Sequence, residues 1–136
     1  MPIDSSLIGK SSAPQTFEVK REAVERFMQA TEDPNLSSDA PLEFAPPTFP
    51  TTFRMSVPGL ELDSSKMQLI HGGQQYHYKR RLRIGEQITC VLRVVEVRER
   101  HGRGGPMTFV ISELTGTDSQ QETVFTARST LIVRQK

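Results

Sequence analysis

The chain has 136 residues, 35% of them hydrophobic, and a formal charge of +1. This is the composition of one ordinary globular domain, neither disordered nor fibrous. A single cysteine, Cys90, excludes an internal disulfide framework and a cysteine-based zinc site.

Residues 1–14, with Ser, Gly and Pro prominent, are expected as a loose lead-in to a single domain over 15–136. Met1 to Lys10 lacks the basic-then-apolar pattern of a signal peptide, and no run approaches the ~18 apolar residues of a membrane span. A cytoplasmic protein without a membrane partner is expected. Gln15 to Arg21 alternates like a short strand. From Glu22 to Thr31 the period changes, and Ala23, Val24, Phe27, Met28 and Ala30 form a helical stripe. Asp33-Pro34 ends it, because the residue before proline avoids the α region.

Residues 33–47 hold Pro34, Pro41, Pro46 and Pro47 and show no period. A long loop inside a compact domain is usually functional. Thr48 to Met55 is expected as a short buried helix with Thr48 as N-cap, its start confined there by Pro50. Pro58-Gly59 closes it. From Gln74 onward the chain reads as strand: Gln74–Leu82, then Ile88–Arg98, Met107–Leu114 and Thr123–Val133. Gly85-Glu86, the Gly102–Pro106 stretch and residues 116–121 are the turns between them. A strand, a helix, an irregular loop, a short helix and four antiparallel strands make an α+β layer arrangement. The architecture that fits is a five-stranded antiparallel sheet wrapped around a central helix.

Charge is uneven along the chain. Residues 1–65 carry ten acidic and five basic side chains, and residues 79–103 carry eight basic and three acidic. Such a run is first of all a solvated strand face, and second a surface for an anionic partner. Cys90 lies in the apolar stretch 88–97 and reads as a buried, inert thiol. His77 alternates with tyrosines and His101 sits in a glycine-rich hairpin, so both are expected in solvent. Residues 102–105 lack the strand–loop–helix setting of a phosphate loop. Two tyrosines and near-zero net charge do not make a nucleic-acid platform.

Phe27-Met28-Gln29-Ala30-Thr31-Glu32-Asp33-Pro34-Asn35, followed by Phe44-Ala45-Pro46-Pro47-Thr48-Phe49, is one distinctive stretch. Leu69-Ile70-His71-Gly72-Gly73-Gln74-Gln75-Tyr76, running into Arg80-Arg81-Leu82-Arg83-Ile84-Gly85-Glu86, is another. In order and spacing, and on through Ala127-Arg128-Ser129-Thr130, they resemble the MaoC-like hydratase/dehydratase family, its N-terminal dehydratase domain in particular. The resemblance spans roughly residues 15–134. It implies a hot-dog fold, no cofactor and no metal. It also implies reversible addition of water across a 2-enoyl thioester of coenzyme A or an acyl carrier protein.

Active members of that family carry an Asp-x-Asn-Pro-aliphatic-His loop after the first helix, whose Asp and His act as an acid/base pair. Laid on this chain, the pattern keeps Asp33 and Asn35 but puts Leu36 at the proline, Ser37 at the aliphatic position and Ser38 at the histidine. A serine hydroxyl does not titrate near neutral pH. Active relatives also place His-Gly at the start of the central helix, where the glycine N–H stabilises developing oxyanion charge. Pro46-Pro47 stand there, and proline has no N–H; Thr48 is the nearest donor.

The resemblance therefore implies a subunit that shapes an acyl site, with Phe44, Pro47, Thr48, Phe49, Phe53 and Gly72 as binding residues. A catalytic hot-dog partner would supply the missing pair. Asp33 reads equally as a site carboxylate or a helix-ending cap, and His71 as a pocket residue or a structural one. Asp33, Ser38, Pro47, Thr48 and His71 are expected along one apolar groove at a homodimer or hetero-oligomer interface. The alternatives are a non-catalytic acyl-thioester-binding homodimer, a hot-dog thioesterase with Asp33 or Glu43 as base, and, last among the enzyme readings, a self-sufficient hydratase with His71 as its catalytic residue.

Overall fold

The computed structural model describes residues 3–135. Five antiparallel strands, β1 (Gln15–Glu18), β2 (Met67–Tyr78), β3 (Gln87–Gly102), β4 (Gly105–Thr117) and β5 (Thr123–Gln135), form one sheet in the order β1-β3-β4-β5-β2. One α-helix, α1 (Arg21–Ala30), buries Val24 and Met28 in the cluster that also holds Ile88, Cys90, Leu114, Phe125 and Ala127 of the sheet. The stripe of apolar residues at helical spacing and the alternation along the strands thus meet in one core. After α1 the chain turns through Glu32, at φ +55°, a left-handed conformation. Asp33 then caps a short 3-10 turn, Pro34–Ser37.

The expected helix over Thr48–Met55 is reduced to one 3-10 turn, Phe49–Thr52. The reasons are local. Phe49 precedes a proline, which disfavours the α conformation there. The hydroxyls of Thr51 and Thr52 donate back to the carbonyls of Thr48 and Phe49, each at 2.9 Å, in place of a continuing helical ladder. Thr48 stands at the N-cap position, but its side chain caps nothing.

The lead-in is also different from the expectation of a loose segment. Leu7 is buried in a second cluster with Val57, Val94, Val110 and Val133. The N–H groups of Gly9 and Ser12 donate to the carbonyls of Val94 and Leu92, both at 2.8 Å. The hydroxyl of Ser12 accepts from the Leu92 N–H at 3.0 Å. β1 pairs with residues 87–90 of β3, and the lead-in continues the covering of that edge. An open strand edge is an aggregation hazard; here β1 and the lead-in cover that edge of β3, and β1 is itself the end strand of the sheet. The opposite edge, β2, has no strand partner on its outer side among the described residues. It starts at Met67, before the expected Gln74, and carries a bulge between His71 and Gly73.

Charge ties the two turns at one end of the sheet. Arg80 donates to both carboxylate oxygens of Glu86, at 2.9 and 2.7 Å, and to Asp118 at 3.3 Å. Burial works against the charge on Glu86, but hydrogen bonds from Arg80 and from the Arg83 N–H outweigh it and hold the carboxyl below its usual range. The Glu122 N–H, opposed by desolvation, and then Arg80 lower Asp118 as well. Depressed carboxyls stabilise the fold above the ordinary carboxylate range, and that contribution is lost as pH falls through their folded values. The melting temperature should therefore drop below roughly pH 4. Arg80→Met should flatten that acid limb while lowering stability at neutral pH by at most about 1 kcal/mol, because the arginine is 38% exposed. An unchanged acid limb in Arg80→Met would show that these carboxylates do not set it.

Candidate functional site

Two cavities have separate linings: Pro50 and Thr51 of the Phe49–Thr52 turn line the first, and Pro46 and Pro47 before it line the second. The first, of about 640 Å³, lies between the sheet and the segment that follows the turn. Its floor is a row of register partners across four strands: Leu92 opposite Leu114, Leu114 opposite Ala127, and Ala127 opposite Tyr76. Phe53 and Met55 form the other wall, and His71 and Gln74 also line it. The second cavity, of about 510 Å³, is lined by Asp33, Asn35 and Ser38 from the loop after α1, with Phe44, Pro47 and Arg81.

The expected single groove is therefore divided. Asp33, Asn35, Ser38, Phe44 and Pro47 share one cavity, whose lining holds no histidine. His71 and Phe53 belong to the other. Three expected binding residues line neither. Phe49 is only 2% exposed and packs edge-on against Phe27 and Phe53, so it is core. Thr48 is exposed, and its N–H makes no hydrogen bond among the described residues. Gly72 sits at the β2 bulge, where a Cβ would come within 3.0 Å of the Ile132 side chain, so the position favours glycine for close packing.

The polar groups of the loop are engaged locally. The Asp33 carboxylate accepts the Asn35 N–H at 2.9 Å, which is the capping role. The Ser38 hydroxyl accepts the Ala40 N–H at 3.2 Å. Nε2 of His71 lies 3.2 Å from Oε1 of Gln74, and the ring is exposed. His77 and His101 are exposed as well. Cys90 is fully buried, and burial pushes its thiol up to about 12, so it holds no thiolate near neutral pH. Among the described residues no three His, Cys, Asp or Glu side chains group as metal ligands. No helix of the described residues is long and apolar enough to cross a membrane.

Two features near the cavities were not assigned from sequence. The Tyr78 hydroxyl donates to the Pro47 carbonyl at 2.6 Å, pinning the proline segment to β2, and burial pushes that phenol well above its usual range. Alternation on a strand placed Tyr76 and Tyr78 on one face, but not opposite Pro47. Arg81 lies over the Phe44 ring, its Cζ 4.3 Å from the centroid. The basic run was evident, yet its position beside the loop cavity depends on Phe44, which is distant in sequence.

The family model for the FAS1-like dehydratase domain region matches residues 6–127. A UPF0336 protein of Thermobifida fusca is 30% identical, covering 98% of this chain and 95% of that protein. Among solved structures, a C-terminally truncated (3R)-hydroxyacyl-ACP dehydratase complex of Mycobacterium tuberculosis matches with a TM-score of 0.73 at 20% identity, over 96% of this chain and 99% of that one. A MaoC-like dehydratase of Rhodospirillum rubrum matches with a TM-score of 0.58 at 15% identity, over 95% and 93%. At these identities the structural matches carry the fold, which is the hot dog. With the sheet order and the family match together, the chain is a hot-dog protein that belongs to the FAS1-like dehydratase-region family.

Proposed function

We propose that this protein is a subunit of a 2-enoyl-thioester hydratase/3-hydroxyacyl-thioester dehydratase that shapes the acyl site and depends on a hot-dog partner for its acid/base pair. One observation carries the reading. The loop that holds that pair in active relatives lines a cavity here with Asp33, Asn35 and Ser38, and without an imidazole. Ser38 cannot exchange a proton near neutral pH, and His71 lies on another cavity.

The apolar row Leu92–Leu114–Ala127 beneath Phe53 and Met55 offers the surface that an acyl chain needs. β2 supports the partner role, since its outer edge has no strand beside it and Leu69 and Ile70 are 36% and 37% exposed there. The Mycobacterium tuberculosis neighbour is itself a complex.

The test uses a ligand without phosphate, a long-chain 2-enoyl thioester of N-acetylcysteamine. It should raise the melting temperature of the protein, alone or with a hot-dog partner, by binding the folded state. No shift at any chain length in either state would remove the acyl reading. A stable monomer in sedimentation at micromolar concentration, with and without such a partner, would remove the assembly reading.

A further inference from the structure

We propose that Arg81 and Arg83, seated on the ring of Phe44, form a phosphate-recognition platform beside the loop cavity. The phosphate they read is that of the thioester's carrier arm. The inference rests on the acyl-thioester reading above and assigns the residues that would hold the other end of such a ligand.

The platform is built by backbone pairing. The Ala45 N–H donates to the Leu82 carbonyl and the Ile84 N–H to the Glu43 carbonyl, both at 2.9 Å, and Phe44 forms an antiparallel bridge with Arg83. In extended backbone, neighbouring side chains point to opposite sides. Leu82 points inward and is 1% exposed, so Arg81 and Arg83 project together on the outer side. Their Cζ atoms lie 4.3 and 5.6 Å from the centroid of the Phe44 ring. Stacking uses a guanidinium face and leaves its N–H edges for a ligand.

The neighbouring arginine shows the contrast. Arg80 is committed to Glu86 and Asp118. Neither Arg81 nor Arg83 has an ion-pair partner among the described residues, although Asp33 and Glu43 line the adjoining cavity. Two like charges on one ring repel each other, and an anion between or above them relieves that repulsion. A phosphate suits the pair because it presents several oxygens and can accept from both forks at once. Of the pair, Arg81 lines the loop cavity and Arg83 lines a separate one with Arg80, Glu86 and Asp118. Acyl thioesters are carried on a pantetheine arm with a phosphate at its far end, and coenzyme A adds further phosphates beyond it.

The experiment titrates the protein with coenzyme A, 4′-phosphopantetheine and pantetheine by calorimetry at low salt. Pantetheine should bind at least about tenfold more weakly than coenzyme A, because it lacks the charge-assisted bonds. The R81A/R83A double variant should lose about that factor for coenzyme A and none for pantetheine, with its melting temperature confirming the fold. Raising the salt should weaken the wild type more than the variant. Equal binding of 4′-phosphopantetheine and coenzyme A assigns the arm's own phosphate, which a carrier protein also presents. Binding of coenzyme A but not of 4′-phosphopantetheine places the contact at the nucleotide end and overturns the assignment to the arm's phosphate. Wild-type affinity in R81A/R83A, or equal binding of pantetheine, overturns the platform.

The two readings fail separately. If the N-acetylcysteamine thioester raises the melting temperature but coenzyme A does not bind, the platform falls and the acyl site stands. If coenzyme A binds through Arg81 and Arg83 and no acyl chain does, the platform stands and the acyl site falls.

Discussion

Assayed alone, the chain is expected to hydrate a 2-enoyl thioester at about a hundredth to a ten-thousandth of the ~10 per second typical of enzymes. That factor is what one positioned acid/base group usually contributes. Three features of the loop cavity lead to it. On the proposed reading Ser38 replaces the family's imidazole, and its hydroxyl is bonded to the Ala40 N–H. Asp33 spends its carboxylate on the Asn35 N–H. Pro47 has no N–H to turn toward a developing oxyanion, and its carbonyl is held by Tyr78. His71 does not compensate, because it lines the other cavity and sits beside Gln74. The residual rate should therefore be unchanged in His71→Ala. Mixing the chain with a hot-dog subunit that keeps the Asp-x-Asn-Pro-aliphatic-His loop should restore the missing factor, read as loss of the conjugated enoyl absorbance. A rate near 10 per second from the chain alone would overturn the reading. If His71→Ala then abolished that rate, self-sufficient chemistry at His71 would take its place.

Periodicity made most of the fold legible. The change from alternation at Phe17 and Val19 to helical spacing at Val24 and Met28 located β1 and α1, because one buried face leaves one period. The two hairpins were visible in their glycines and turn residues. The beginning of β2 was not. Leu69, Ile70 and His71 are all exposed on an edge strand, and the bulge at Gly72 breaks the alternation that would have marked it. The docking of the lead-in also left little trace, since it is made largely by backbone groups of Gly9 and Ser12 that any sequence carries.

Of the residues singled out from sequence, Asp33, Asn35, Ser38, Phe44 and Pro47 line one cavity, whereas Thr48, Phe49 and Gly72 line neither. The pattern around Asp33 and Ser38 names the loop, and the double proline names the wall opposite. Whether His71 shares a cavity with that loop is decided by tertiary packing, which puts it in the lining of the other one. Arg81 and Arg83 show the same limit. Their alternation about Leu82 is in the sequence, whereas the ring beneath them belongs to another segment brought alongside by two backbone hydrogen bonds.

Phe49→Ala is expected to lower the unfolding free energy by about 3–5 kcal/mol, the cost of emptying a well-packed aromatic site. Phe49 was expected to line the acyl groove, where its loss would weaken ligand binding. Its surroundings argue otherwise. Its ring meets Phe27 of α1 at 5.6 Å and Phe53 at 5.7 Å, both edge-on, and Phe53 stacks on Phe17 of β1 at 4.7 Å. This aromatic chain joins the helix, the 3-10 turn and the edge strand. It holds in place the turn whose Pro50 and Thr51 line the sheet-side cavity. Domains of this size have only about 5–15 kcal/mol of stability, so the alanine variant would be marginally folded. Phe49→Leu keeps most of the volume and should cost less than about 1.5 kcal/mol. Urea unfolding distinguishes the roles. A cost below about 1 kcal/mol for Phe49→Ala, together with a lost acyl-thioester shift, would return Phe49 to the cavity wall. A large cost in the absence of ligand keeps it in the core. Substitutions at Met55, which lines the sheet-side cavity at its half-buried edge, are then the cleaner probe of acyl binding.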